Sequence, residues 1–256
     1  VHPLYVVSGF AVGVLVGMTG VGGGALMTPL LILLFQVHPT TAVGTDLFFA
    51  SITKTGGTIV HGLERNIDWR IVGRLALGSI PASVLTLLVF RLAHVDPATA
   101  NALITRVLGL ALLATALALV FRRYLLASYS RRVGVLDGRR TFRFTVATGA
   151  ILGALVSVSS VGAGALGVTA LVLLYPEIPV VKIAASDIAH AVPLTLVAGL
   201  GHVVNGGVDV TVLESLLIGS LPGVIIASLF APRLPDLALR LILAATLTVS
   251  GLRLLG

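Results

Sequence analysis

The sequence predicts an all-α polytopic membrane protein built from two related halves, and three observations carry that expectation. Charged residues make up only 11% of the 256-residue chain against 57% hydrophobic ones, and the mean hydropathy is +1.08. A soluble domain covers its surface with about 25% charged residues. The apolar residues also come in unbroken runs such as 102–121 and 210–231, close to the roughly 20 residues that cross a bilayer as a helix. Short alternating segments of the outer-membrane barrel type are absent. The third observation is that the chain is written twice.

Residues 13–35 (GVLVGMTGVGGGALMTPLLILLF) align without a gap to 153–175 (GALVSVSSVGAGALGVTALVLLY), with eleven of 23 positions identical. One inserted residue then shifts the offset from 140 to 141, and sparse polar positions stay in register. Asp46 pairs with Asp187, His61 with His202, Asp68 with Asp209, and Gly78-Ser79-x-Pro81 with Gly219-Ser220-x-Pro222. Apolar composition alone does not keep such residues aligned, so the match marks an internal repeat. The expected organisation is a first repeat over 1–121, a basic linker over 122–143 and a second repeat over 144–256. Each half reads as a glycine-broken segment (3–35; 144–175) followed by three spanning helices. These are 42–63, 69–91 and 102–121, then 183–204, 210–231 and 237–255. Pro81 and Pro222 fall inside helices, where they are expected to introduce kinks.

The net charge of +7 does not point to nucleic acid, because seven of the fifteen arginines crowd between Arg122 and Arg143. A short basic loop between hydrophobic segments marks the cytoplasmic side, and contact with anionic lipid can accompany it. Val1 to Ser8 has no basic n-region, so the first apolar stretch is treated as mature structure. With no cysteine, disulfides and thiolate metal sites are excluded. The expected location is the bacterial cytoplasmic (inner) membrane.

Charge also bears on how the halves relate. With 122–143 inside, the 64–70 loop is inside too and carries Arg65 and Arg70, whereas its counterpart 205–209 has no basic residue. Arg233 and Arg240 fall inside; their counterpart region near His94 and Asp96 has only Arg91 at its edge. This pattern favours inverted repeats, which require each glycine-broken segment to enter and leave on one side. The arms 3–19 and 24–35 are about 25 and 18 Å long as helix, short for a ~30 Å core, so a re-entrant hairpin is expected. A continuous crossing would instead give two parallel halves.

Chemistry is sought first at the glycine breaks, Gly20 to Gly24 and Ser160-Val161-Gly162-Ala163-Gly164. Irregular backbone at membrane depth survives only when buried in protein or lining a cavity. The helix that follows each break offers free N–H groups and a positive dipole end to an anion. Paired broken helices in repeated halves point to a transporter's central site. Candidate substrate-binding residues are therefore Thr19, Gly22, Gly23, Gly24, Ser159, Ser160, Gly162 and Gly164. The alternative is close helix packing through small residues. Neither a nucleotide loop nor an enzyme's nucleophile–base or metal constellation is found, so the chain is not expected to be an enzyme or to hold a cofactor or metal.

Lys54 lies mid-helix in FFASITKTGGTIV. An intramembrane lysine is costly and normally faces the bundle interior with an anionic partner. It is a substrate-binding candidate, the alternative being a structural pair with Asp46. Asp46 and Asp187 are expected in the first turns of their helices, where capping would explain them; the other reading is a protonatable site. His190, one turn beyond Asp187, joins them as a proton-coupling candidate. His61 and His202 are further candidates, although each precedes a loop.

At these residues the chain resembles the TauE/SafE family of membrane proteins, the sulfite exporters. The resemblance rests on Gly13, Gly17, Gly20, Gly22, Gly23, Gly24 and Pro29, on Ala42-Val43-Gly44-Thr45, on His61-Gly62 and on Asp68. A weaker version recurs in the second half, so the likeness covers essentially the whole chain. It implies proton-driven secondary export of sulfite or a small organosulfonate such as sulfoacetate. The second half departs from the first at Ala163 for a glycine, Thr169 for Pro29 and His190 for Phe49, which implies an asymmetric site. The competing reading is a passive anion channel of the same architecture, lacking titratable coupling residues.

Overall fold

The computed structural model describes residues 2–19, 24–93, 96–132, 137–204, 207–230 and 236–256, with side chains for all of these except 16–19, 24, 122–132, 228–230 and 236–239. The described residues form helices and short connections without any strand. In order these are α1 (Pro3–Thr19), α2 (Gly24–Leu33), α3 (Pro39–Leu63), α4 (Trp69–Leu92), α5 (Pro97–Arg132), α6 (Gly138–Ser159), α7 (Ala165–Leu174), α8 (Val180–Val204), α9 (Val210–Phe230) and α10 (Asp236–Leu255). Among the described residues, five stretches are long and apolar enough to cross a membrane, in α4, α5, α6, α8 and α9. α3 has the length, but Asp46, Lys54 and its threonines dilute its apolar run.

Several helix boundaries differ from expectation, α5 and α8 also starting earlier, at Pro97 and Val180, and two of the differences have simple reasons. α3 starts at Pro39 rather than at residue 42, since proline suits the first helical turn. The basic stretch 122–143, expected as a loop, is helix up to Arg132 and again from Gly138. Between Phe121 and Arg132 there is no glycine or proline, and leucine, alanine and arginine all favour helix, so α5 runs on past its apolar segment. Pro81 and Pro222 lie inside the single helices α4 and α9.

Side-chain placement is that of a protein in lipid. Leu77, Leu85, Leu110, Leu117, Ile151 and Ile225 are exposed, while Thr45, Asp46, Lys54, Ser79, Asp187 and His190 are buried. In water this arrangement would be strongly unfavourable, because the exposed apolar area gains nothing and the buried polar groups lose hydration. In a bilayer the outer surface is already solvated by hydrocarbon, and polar groups turn inward.

Close backbone approach fixes how the helices run. α1 packs parallel to α9, with Gly9 against Leu216 and Gly13 against Ser220; α6 packs parallel to α4, with Gly149 against Leu75 and Gly153 against Ser79. A Cβ at any of these four glycines would fall on the partner's backbone. α3 and α8 run antiparallel, as Gly44 meets His202, Gly199 meets Phe48 and Gly57 meets Ile188. α5 and α10 meet at Gly109 and Gly251. A core of Met27, Leu31, Phe49, Leu108, Leu112, Leu216, Leu243 and Leu247 joins α2, α3, α5, α9 and α10.

Helix starts are pinned reciprocally across the halves. The Asp68 N–H donates to Ser186 Oγ at 2.8 Å, and the Asp209 N–H donates to Thr45 Oγ1 at 3.0 Å. Asp68 caps α4 through Arg70 and Ile71, and Asp209 caps α9 through Val212. Residues 141 apart thus play the same part in each half.

Candidate functional site

The α6–α7 break forms one side of a cluster of buried polar groups, called the chamber below. α6 ends where Ser160 takes a left-handed conformation (φ 57°) and its N–H closes on the Val156 carbonyl at 2.7 Å. Gly162 and Gly164 both have φ 135°, a region that residues with a Cβ rarely adopt. Gly167 N–H turns back to the Gly162 carbonyl at 3.1 Å. The amides of Ala165 and Leu166, in the first turn of α7, have no partner among the described residues, as expected at a helix start.

α3 and α8 supply the opposing side chains. Lys54 Nζ donates to the Ala163 carbonyl at 3.1 Å. Its ammonium also lies within electrostatic reach of the Asp46 and Asp187 carboxylates. Thr28 of α2 donates to Asp46 Oδ2, and the Ser160 hydroxyl faces Asp46 without completing a bond. Asp187 lies against the start of α7, beside Gly164 and so near Gly167 that a Cβ there would strike its carboxylate. His190 Nε2 and Ser79 Oγ are 2.8 Å apart.

Hydrogen bonding in the chamber is incomplete. Asp46 Oδ1, both oxygens of Asp187, Ser160 Oγ and His190 Nδ1 are buried with no hydrogen-bond partner among the described residues. Buried polar atoms are nearly always paired, and each one left unpaired costs about 1–3 kcal/mol. Several such atoms stand together here.

The expected site residues divide accordingly. Lys54, Asp46, Asp187, His190, Ser160, Gly162 and Gly164 come together. Ser159 lies beside them but turns its hydroxyl to the Leu155 carbonyl at 2.8 Å. His61 sits at the C-terminal end of α3, half-buried and 3.7 Å from Glu64, outside the chamber. His202 lines a separate cavity, its Nε2 2.9 Å from the Ser157 carbonyl. Gly22 and Gly23 lie outside the described residues, as do the side chain of Thr19 and the surroundings of Gly24.

The capping explanation for the carboxylates does not hold. Asp46 and Asp187 were expected in first turns, but α3 and α8 begin seven residues before them, at Pro39 and Val180. Both lie on the helix interior, where no free N–H awaits a cap. Thr28, Ser79 and Gly167 were not anticipated. Ser79 stands in the Gly-Ser-x-Pro match that drew attention only to Pro81. The repeat pairs Gly167 with Met27, and that loss of a side chain opposite Asp187 was a readable sign.

Comparison with known proteins agrees with this architecture. The chain is 37% identical to the probable membrane transporter protein YjnA of Bacillus subtilis (strain 168), covering 98% of both chains. It is 27% identical to the probable membrane transporter protein YdhB of the same organism, over 96% of this chain and 97% of that one. A 36% identical match to the probable membrane transporter protein MJ0441 of Methanocaldococcus jannaschii covers 27% of each. No solved structure matches significantly. Residues 5–254 match the family described as sulfite exporter TauE/SafE. This multi-pass membrane protein belongs to the sulfite exporter TauE/SafE family.

Proposed function

We propose that the protein is a proton-coupled secondary transporter that exports a small anion, sulfite or an organosulfonate such as sulfoacetate, across the bacterial cytoplasmic membrane. The observation that carries this reading is Lys54 bound to the carbonyl of a broken helix within electrostatic reach of two buried carboxylates, with unpaired polar atoms around it.

Charge balance supplies the coupling. With Lys54, Asp46 and Asp187 all ionised, the group sums to one net negative charge and repels an anion. In a low-dielectric interior that repulsion is severe. One proton makes the group neutral, and two leave it positive, so the anion and a proton bind together. Lys54 then contributes charge-assisted hydrogen bonds to the oxyanion, and the free amides of Ala165 and Leu166 at the start of α7 add donors. A passive channel would need none of the buried carboxylates, and their presence favours the coupled reading.

Inverted repeats with re-entrant broken segments suit this function, since alternating access then follows from exchanging the roles of the halves. The antiparallel course of α3 and α8, which are counterparts in the repeat, supports inversion. α2 and α7, at ten residues each, are about 15 Å long and too short to cross. α6 is about 33 Å, long enough to span, but its first turns carry Arg139, Arg140 and Arg143. Its apolar part, 144–159, is nearer 24 Å, which suits a re-entrant arm.

The test is reconstitution into liposomes loaded with sulfite or sulfoacetate. Efflux accompanied by proton movement, and responding to an imposed pH gradient, is the expected result. Efflux indifferent to the gradient would restore the channel reading, and no flux of either anion would remove the substrate assignment.

A further inference from the structure

A second polar space lies apart from the chamber. It is a partly open cavity of about 500 Å³ at the end of the bundle where α3 and α5 begin and α4 and α8 end. Its deep wall is Ser157 and Val158, at the last turn of α6 just before the break. No carboxylate lines it among the described residues. The nearest acidic residues along the chain, Asp96 and Asp209, accept the backbone N–H groups of Thr99 and Val212 at the starts of their own helices.

Two groups, Arg91 and the Asn101 amide, give the cavity a positive, donor-rich character, and His202 bounds its inner end. Arg91 lies at the end of α4, exposed and without an ion pair among the described residues. Asn101 Oδ1 accepts both the Thr40 N–H at 3.2 Å and the Thr40 hydroxyl at 2.7 Å. A backbone N–H can only donate, so the acceptor there must be the oxygen, and the Asn101 amino group keeps both hydrogens without a partner among the described residues. His202 is only 5% exposed. Its Nε2 faces the Ser157 carbonyl, which can only accept, so Nε2 carries the hydrogen. Nδ1 is left buried without a partner among the described residues. The first turns of α3 and α5 border the same space, and so do the last turns of α4, α6 and α8, so the helix dipoles do not set its sign and the side chains do.

We infer that this cavity is a second anion-binding station, a vestibule that holds a sulfonate or sulfite-like oxyanion on its way between the chamber and the membrane surface. Arg91 and the Asn101 amino group bind oxygen atoms of the anion, and His202 closes the inner end. The identity of the anion rests on the transport reading above; the site's positive character does not. The pair of anion-facing side chains occurs once in the chain. By the 141-residue offset Arg91 pairs with Pro232 and Asn101 with Ile242, so the same set of residues does not recur in the second half.

Isothermal titration of the purified full chain with sulfoacetate tests this. Two binding events per chain are expected in the parent protein. Arg91→Gln should weaken one of them about tenfold or more, the loss of a charge-assisted pair. Asn101→Asp keeps an oxygen for Thr40 and so preserves the local fold, yet it replaces the two free donors with negative charge; it should abolish the same event. Lys54→Met should remove the other event and spare this one. Melting temperature accompanies each variant, so that loss of binding in an unfolded protein is recognised and replaced by the Asn101→Asp result. Parent-like stoichiometry and affinity in both Arg91→Gln and Asn101→Asp would overturn the vestibular site. Persistence of both events in Lys54→Met would instead remove Lys54 from the central site and leave the vestibule standing.

Discussion

Lys54 and Ala163 are 109 residues apart in the chain, and the lysine Nζ of one half donates to the carbonyl of the other at 3.1 Å. Ala163 stands where the first half has Gly23, between two glycines of positive φ. One of the protein's two lysines is therefore tied to the irregular backbone of the opposite repeat. Movement of the α6–α7 break relative to α3 has to break or re-aim this bond.

Lys54→Met follows as the first test. It keeps much of the apolar stem and removes the charge and the donor. Anion binding at the chamber should fall about 10- to 150-fold, the range for a charge-assisted bond of about 1.5–3 kcal/mol. If Lys54 only neutralises Asp46, the double variant with Asp46→Asn should regain both melting temperature and flux. Regained flux would remove Lys54 from anion binding.

Thr28 donates the one hydrogen bond that Asp46 completes among the described residues. Thr28→Val is nearly the same shape and leaves that carboxylate without a bond. A loss of about 1–3 kcal/mol in unfolding free energy is expected, with Thr28→Ser restoring it. Equal stability of all three proteins would show that Asp46 draws its support from elsewhere.

Gly167→Ala places a methyl against the Asp187 carboxylate, whereas Gly56→Ala meets nothing within 4 Å. Transport should fall sharply in the first and stay near the parent level in the second. Gly162→Val adds a different disturbance: its Cβ would crowd the Leu155 side chain at 3.3 Å, and φ 135° strains any β-branched residue. It should abolish binding while the protein still inserts.

The course of the helices can be read from either face of the membrane. Glu64 ends α3 and Val204 ends α8, and these helices are antiparallel. The natural chain has no cysteine. Single cysteines at Glu64 and Val204 should therefore react with an impermeant reagent from opposite sides, Glu64→Cys from the cytoplasmic one. Labelling from one side would favour parallel halves.

Much of this was legible in the sequence because lipid imposes simple rules. Apolar run length gave the helices to within a few residues, and the 141-residue offset anticipated paired roles such as Asp68 with Asp209. Lys54, Asp187 and the second glycine break were singled out from cost and position alone. What sequence could not supply was which elements from distant parts of the chain meet. Thr28 looks like any helical threonine until α2 is laid against α3. His61 and His202 match by offset, yet one pairs with Glu64 near the surface and the other is buried behind Ser157. The extension of α5 was missed because arginines mark a membrane boundary without ending a helix.

The central claim is that anion and proton share the chamber, and proton uptake on binding measures it most directly. Sulfoacetate is fully ionised at neutral pH, so titrating it into the purified protein in buffers of different ionisation enthalpy reports protons taken up by the protein alone. Asp187, with neither oxygen hydrogen-bonded among the described residues, is the carboxylate proposed to take the proton, and Asp187→Asn mimics its protonated form. The parent protein should take up about one proton per anion bound at the chamber, and Asp187→Asn should bind the anion with none. Binding without proton uptake in the parent, or unchanged uptake in Asp187→Asn, would contradict the account.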